Sequence, residues 1–329
     1  MRGIAWLPAL IGAAVSVGLS RSSFLGFLFL LPLGVAAYCY NSKTAWFAAA
    51  VSALGNALFC LVVGRFQSYH ALPWADMLYL TVVITVFAWI ASPPKRGGGF
   101  LRMPTAYRIV AGAVVTSLAL ALCSAWNDQG LRSLFRFQAE ALASLYASAS
   151  GADEELRSLT EHYMNADAIL EILQSAALRG GVVASCAALF AASRQLSLVV
   201  AALIRRKRPE GSLAAFHVRP ECVWTLSFSL LAIVAGLYFR IVPLEIAGWN
   251  ILVLCAILYL AQGVGIAIFF LARLPPGMRL AVNLGVVALI VSPGINAAFM
   301  GVLILVGFAE NWAPFRAPKP NGPPPTPGA

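Results

Sequence analysis

The chain has 329 residues, 60% hydrophobic and only 11% charged, with a formal net charge of +10 and a mean hydropathy of +0.82. Soluble domains carry about 25% charged residues, so water is excluded as the main solvent. The basic residues sit in short clusters between apolar runs, without a basic domain or interleaved aromatics, which argues for loops at a membrane face and against a nucleic-acid partner.

With about 20 residues needed per spanning helix, the length leaves room for about eight to ten spans. The expected fold is therefore all-α, a polytopic transmembrane bundle. Apolar runs at Ile4–Leu19, Phe24–Tyr40, Thr44–Gly64, Trp74–Ala91 and Ile109–Trp126 predict five spans over residues 1–126. The first run follows Arg2 but is followed directly by further spans, so it is read as a helix and not as a cleaved leader. Trp6, Trp46, Trp74, Trp89 and Trp126 fall near the ends of these runs, where amphipathic rings favour the membrane interface.

Residues 127–179 change character. Asp128, Glu140, Asp153, Glu154, Glu155, Glu161, Asp167 and Glu171 outnumber Arg132, Arg136, Arg157 and Arg179. Leu131, Leu134, Phe135, Leu142, Leu145 and Tyr146 recur at helical spacing and predict an amphipathic helix between the fifth and sixth spans, ended by Gly151. Asp153 is placed to cap the next helix, and a further one is expected from Asp167.

Residues 180–316 hold Gly180–Ile204, Val223–Val242, Ile246–Leu271 and a long final run, Leu280–Phe308. Ser292-Pro293-Gly294 interrupts the last, which predicts either a kinked helix or two half-helices. The Pro-rich tail from 317 to 329 is expected to be disordered. Lys43, the group from Lys95 to Arg108, the group from Arg205 to Arg219, Arg273 and Arg279 fall on one side of this topology. By the rule that cytoplasmic loops collect Lys and Arg, the N-terminus is expected in the cytoplasm and 127–179 outside.

Catalytic patterns are missing. There is no P-loop, HExxH or GxSxG motif. His70, His162 and His217 are scattered, and the six cysteines form no CxxC pair. No enzyme activity, metal or cofactor is expected. Polar residues within apolar runs are more informative. Arg194 stands about 15 Å before Arg205 along a helix, where its charge needs either a partner, a wet cavity or a route along its own helix to the headgroups. Asn56, Asn250, Gln262, Asn283 and Asn296 are expected to bond between helices. Asn296 follows the Pro-Gly break, where a half-helix start would favour an anion. Arg194, Asn296, Gln262 and Asn56 are thus the candidate ligand-binding residues. Ala5, Ala9 and Ala13 form a small-residue stripe that admits another helix at close range.

Phe216, Arg219 and Pro220, followed by Trp224, together with the chain-end residues Glu310, Trp312, Phe315 and Arg316 and the early Leu31-Pro32-Leu33, resemble the patterns of the YybS-like family of bacterial multi-pass membrane proteins. Glu310 replaces that family's usual Asp. The resemblance implies a bacterial inner-membrane protein, distantly similar to the substrate-binding subunits of energy-coupling-factor transporters. It further implies a small-molecule ligand captured from the outer face, and a first-helix stripe, here Ala5, Ala9 and Ala13, that meets a separate transmembrane coupling protein. A non-catalytic scaffold or assembly factor for an envelope complex is the alternative, with the acidic segment and the basic loop at 205–208 as contact surfaces.

Overall fold

The computed structural model describes residues 5–22, 25–66, 73–92, 103–126, 135–144, 165–205, 213–292 and 295–316. The described chain is all helical. In order, the α-helices are α1 (Trp6–Ser20), α2 (Leu31–Cys39), α3 (Ser42–Phe66), α4 (Pro73–Ala91), α5 (Thr105–Trp126), α6 (135–144), α7 (Ala166–Ala176), α8 (Val182–Arg205), α9 (Cys222–Phe239), α10 (Val242–Leu271), α11 (Pro276–Val291) and α12 (Ile295–Ala309). Among the described residues, five helical stretches are long and apolar enough to cross a membrane, and α1, α2, α4 and α12 contribute shorter apolar helices. The molecule is a multi-pass helical membrane protein.

Proline and asparagine set several helix starts. Pro32 and Pro276 stand in the first turns of α2 and α11, where the missing N–H costs nothing. α7 begins at Ala166, one residue before the expected position, because the Asn165 side chain accepts from the Ala168 N–H at 2.8 Å. α7 ends at Ala176, but the chain does not break there. It passes through a wide turn at Ala177–Gly181, with Gly180 at φ 107°, directly into α8. The expected cap at Asp153 and stop at Gly151 lie outside the described residues, as do His70, His162 and the tail from 317. The final run forms two helices, because Ser292 takes an extended conformation (φ −73°, ψ 117°) after α11.

Contacts divide the chain into two compact units that cut across the boundaries expected at 126 and 179. One comprises Met1–Pro209 with Ser229–Leu254, the other Glu210–Phe228 with Cys255–Ala329. In the first unit, small side chains let helices approach closely. Ala9 and Ala13 of α1 are 0% and 1% exposed, and their helix lies on α3. The Ser52 hydroxyl donates to the Ala13 carbonyl at 3.4 Å, the Ala5 N–H donates to Thr44 Oγ1 at 3.2 Å, and Trp6 meets Phe47 edge to face. The small-residue stripe is therefore used within the chain. With Ala9 and Ala13 covered, it offers a separate coupling protein little surface.

α2 crosses α8 at Gly34, where a Cβ would overlap the Ser197 side chain and come within 3.3 Å of Phe87. Ser197 Oγ meanwhile donates to the Leu31 and Ser193 carbonyls. Gly112 of α5 allows the same closeness to Val86 and Ile90 of α4, and Phe87 stacks with Phe190 of α8 at 6.3 Å. Outward faces are apolar, as lipid requires: Trp224, Phe228, Leu231, Val234 and Leu237 of α9 are all exposed. At the end of α9, Arg240 takes a left-handed φ of 56° and the Ile241 N–H bonds the Gly236 carbonyl, turning the chain into α10.

The Gly34 crossing gives a direct test. Gly34→Ala should lower stability by about 1–3 kcal/mol, the usual cost of overpacking, read as a lower thermal midpoint of the detergent-solubilised protein. Gly18→Ala, whose new methyl group meets nothing within 4 Å, should show no such loss. Equal midpoints for the two variants would mean that the crossing is not tight.

Candidate functional site

The four candidate ligand residues have different surroundings. Asn56 of α3 is 1% exposed and already bonded. Its Oδ1 accepts from Ser20 Oγ at 2.8 Å and from Arg21 Nη2 at 3.3 Å, and its Nδ2 donates to the Ser52 carbonyl. It ties α1 to α3, the interhelical role expected of such amides. Asn250 does the same for the turn before α8, donating to the Leu178 carbonyl at 2.7 Å. Asn283 is exposed on α11, and Asn296 stands half-buried in the first turn of α12, its N–H bonded to the Ser292 carbonyl.

Gln262 belongs to a closed polar knot in the second unit. Its Oε1 accepts from the Val218 N–H at 2.6 Å, and its Nε2 donates to Glu310 Oε2 at 3.0 Å. Arg316 Nε donates to Glu310 Oε1 at 2.6 Å, its Nη2 also pairs with Glu310, and its fork reaches the Ala214 and Phe216 carbonyls at 2.7 and 2.8 Å. The Arg316 and Glu310 side chains are 4% and 2% exposed, and His217 Nε2 stands 3.9 Å from Glu310. The two stretches singled out in the sequence, around Phe216 and Arg316, thus meet through Gln262. Arg219, Pro220, Trp312 and Phe315 lie exposed around them. Gln262 is engaged at both its oxygen and its nitrogen, and the knot is an internal clasp.

Arg194 is different. It sits midway along α8, half-buried, with its Nε buried and without a hydrogen-bond partner. The Tyr38 hydroxyl of α2 lies within its electrostatic reach. Arg108 of α5 acts electrostatically on both residues. Sequence reading missed Arg108 because it stands beside the Lys95–Arg108 cluster and looked like one more loop cation. In the structure it is 2% exposed. Its Nη1 donates to the Ser92 carbonyl at 2.6 Å and the Trp89 carbonyl at 3.4 Å, and its guanidinium lies 5.7 Å from the Trp89 ring centroid. It thereby holds the negative end of the α4 dipole.

Two guanidinium groups and a phenol from three helices therefore converge in the first unit. Helices α2, α5 and α8 contain no acidic residue, and the only one in residues 1–126 is Asp76, in the first turn of α4. Asp76 is separated from Ser92 by the length of that helix, about 24 Å. The cluster is thus a cationic and phenolic group to which its own helices bring no carboxylate. Chemically it is a set of fixed N–H and O–H donors. No group of three His, Cys, Asp or Glu residues able to hold a metal occurs among the described residues. An apolar groove of about 390 Å³ lined by Leu7, Ile11, Val15, Pro32, Val35 and Val200 carries no charged side chain and is no part of the cluster.

No protein family, curated protein or solved structure matches the chain. Its class rests on its own helices, which define a multi-pass α-helical membrane protein.

The clasp in the second unit makes a stability prediction. Removing one partner of a buried ion pair strands the other charge and costs about 3–5 kcal/mol, whereas replacing both is far milder. Arg316→Met should therefore sharply lower membrane yield and thermal midpoint, and adding Glu310→Gln should restore much of both. A double variant no better than the single one would show that the carboxylate was not the stranded group.

Proposed function

We propose that this chain is a small-molecule-binding, transport-related membrane protein with its ligand site at Arg194, Tyr38 and Arg108, and with no ATPase of its own. The observation that carries the reading is Arg194 itself. A mid-helix arginine in an apolar layer is costly to bury, and this one has a buried nitrogen without an acceptor, whereas Asn56 and Gln262 are hydrogen-bonded at both oxygen and nitrogen. An unsatisfied donor at such depth is typical of a place that something else fills. The resemblance to the YybS-like family supports the same assignment.

On this reading the protein lies in a bacterial inner membrane with its N-terminus in the cytoplasm and 127–179 outside, in keeping with its loop charges. Tyr38, Ser92 and Arg108 stand at or within a turn of the helix ends on the side where the basic residues collect, so the ligand is held nearer the cytoplasmic face than a capture site beneath 127–179 would be. Coupling to a partner then uses a surface other than Ala9 and Ala13.

The test is native mass spectrometry of gently solubilised protein. Wild type should carry a reproducible small-molecule adduct, and Arg194→Leu should lose it while keeping expression and thermal midpoint. A wild-type spectrum without adduct, or one that Arg194→Leu leaves unchanged, would remove the site from this function.

A further inference from the structure

The apolar groove on the first unit shares none of its lining with the Arg194 cluster. Its walls include Leu7, Ile11 and Val15 of α1, Val35 and Tyr40 of α2, and Val200 of α8. We propose that it holds one acyl chain of an anionic phospholipid, with the headgroup at the start of α1 beside Tyr40 and Lys43.

The size of the groove selects a chain. Leu7 to Val15 covers eight residues of helix, about 12 Å at 1.5 Å per residue, and one leaflet of the hydrocarbon core is about 15 Å deep. The groove therefore runs nearly the length of a leaflet. A partner helix about 10 Å across would need roughly 900 Å³ over the same length. The groove offers about 390 Å³, which suits a row of methylenes and not a helix. Small residues keep it open: Ala36 is 4% exposed, and a Cβ on Gly12 would stand 3.6 Å from the Pro32 carbonyl.

The two ends of the groove differ in chemistry. Gly12 lies against Pro32, and Ser16 Oγ donates to the Phe29 carbonyl at 2.7 Å. α1 and α2 are therefore antiparallel, and Leu7 shares one end with Tyr40 while Val15 shares the other with Leu31. Of the lining side chains, only Tyr40 carries a polar atom. α1 begins at that same end, and its N-cap Ala5 makes no side-chain cap, so the positive end of the helix dipole is presented there. The Ala5 N–H donates to Thr44 Oγ1 at 3.2 Å, which holds the start of α1 one residue from the exposed Lys43. Trp6, 58% exposed, stands beside Leu7 at the depth where indole rings favour the headgroups. A lipid has the same polarity along its length, an anionic head on an apolar chain. A wholly apolar ligand would fill the groove but leave its cationic end unanswered.

Native mass spectrometry of the solubilised full chain tests this, with phosphatidylglycerol and phosphatidylcholine of identical acyl chains titrated in turn. Wild type should bind one phosphatidylglycerol about fivefold more tightly than phosphatidylcholine, the factor expected of one basic group near a membrane surface. Lys43→Gln should remove most of that preference and spare phosphatidylcholine. Gly12→Leu, which fills the groove from a position where a Cβ makes only ordinary contact, should lose the tight adduct of either lipid. Leu231→Trp, at a 63% exposed position on α9 outside the groove, should keep it. Arg194→Leu should keep it too, so this site and the small-molecule site stand or fall separately. Equal affinities for the two lipids in wild type, a preference that Lys43→Gln leaves intact, or equal losses in Gly12→Leu and Leu231→Trp would each overturn the proposal. So would a folded Gly12→Leu protein that retains the adduct. If that variant does not fold, the response of Lys43→Gln decides.

Discussion

A guanidinium inside an apolar protein has to find oxygen, and this fold supplies it mainly from the exposed carbonyls of helix ends. Arg108 takes the carbonyls of Trp89 and Ser92 at the end of α4. Arg279 takes those of Leu271, Ala272 and Leu274 at the end of α10. Arg316 reaches the Ala214 and Phe216 carbonyls as well as Glu310. The pairings of Arg108 and Arg279 answer two needs, because the last carbonyls of a helix have no partner within it and carry the negative end of its dipole. In a chain with 23 Lys and Arg against 13 Asp and Glu, backbone carbonyls supply oxygen that the carboxylates are too few to provide alone.

This economy explains why the helix breaks matter as much as the helices. Leu274-Pro275-Pro276 ends α10 and starts α11, and Ser92 ends α4 before the basic stretch. Where a helix stops, a cation can be held. Where it runs on, as α8 does through Arg194, no carbonyl is free, since each is already used within the helix. Arg194 therefore finds no carbonyl on its own helix, and its Nε is left without a hydrogen-bond partner.

Much of the fold was legible because lipid imposes a simple pattern: a long apolar run becomes a helix whatever its details. The break at Ser292-Pro293-Gly294 was visible for the same reason, although choosing between a kink and two helices depended on the ψ of Ser292, which no residue type dictates. The site was only partly legible. Arg194 stood out because it is a charge in an apolar run. Tyr38 did not, since a tyrosine near a span end is ordinary, and Arg108 was hidden among loop cations until α5 proved to start at Thr105 and draw it inside. Ala9 and Ala13 did announce a close helix approach, which α3 makes. A small-residue stripe tells that a helix comes close, but not whether that helix is its own α3 or another protein's.

Glu310 and Arg194 show how satisfaction, more than burial, separates structure from site. Glu310 is the more buried of the two, yet its oxygens are taken by Arg316 and Gln262, and His217 stands within ion-pair range. A ligand arriving there would have to break bonds worth more in a low-dielectric interior than those it could make. Arg194 is less buried but keeps an unbonded nitrogen beside a second cation. A ligand there could add a bond to that nitrogen. The clasp in one unit is closed by the Glu310 carboxylate beside Arg316, whereas α8 itself brings Arg194 no carboxylate.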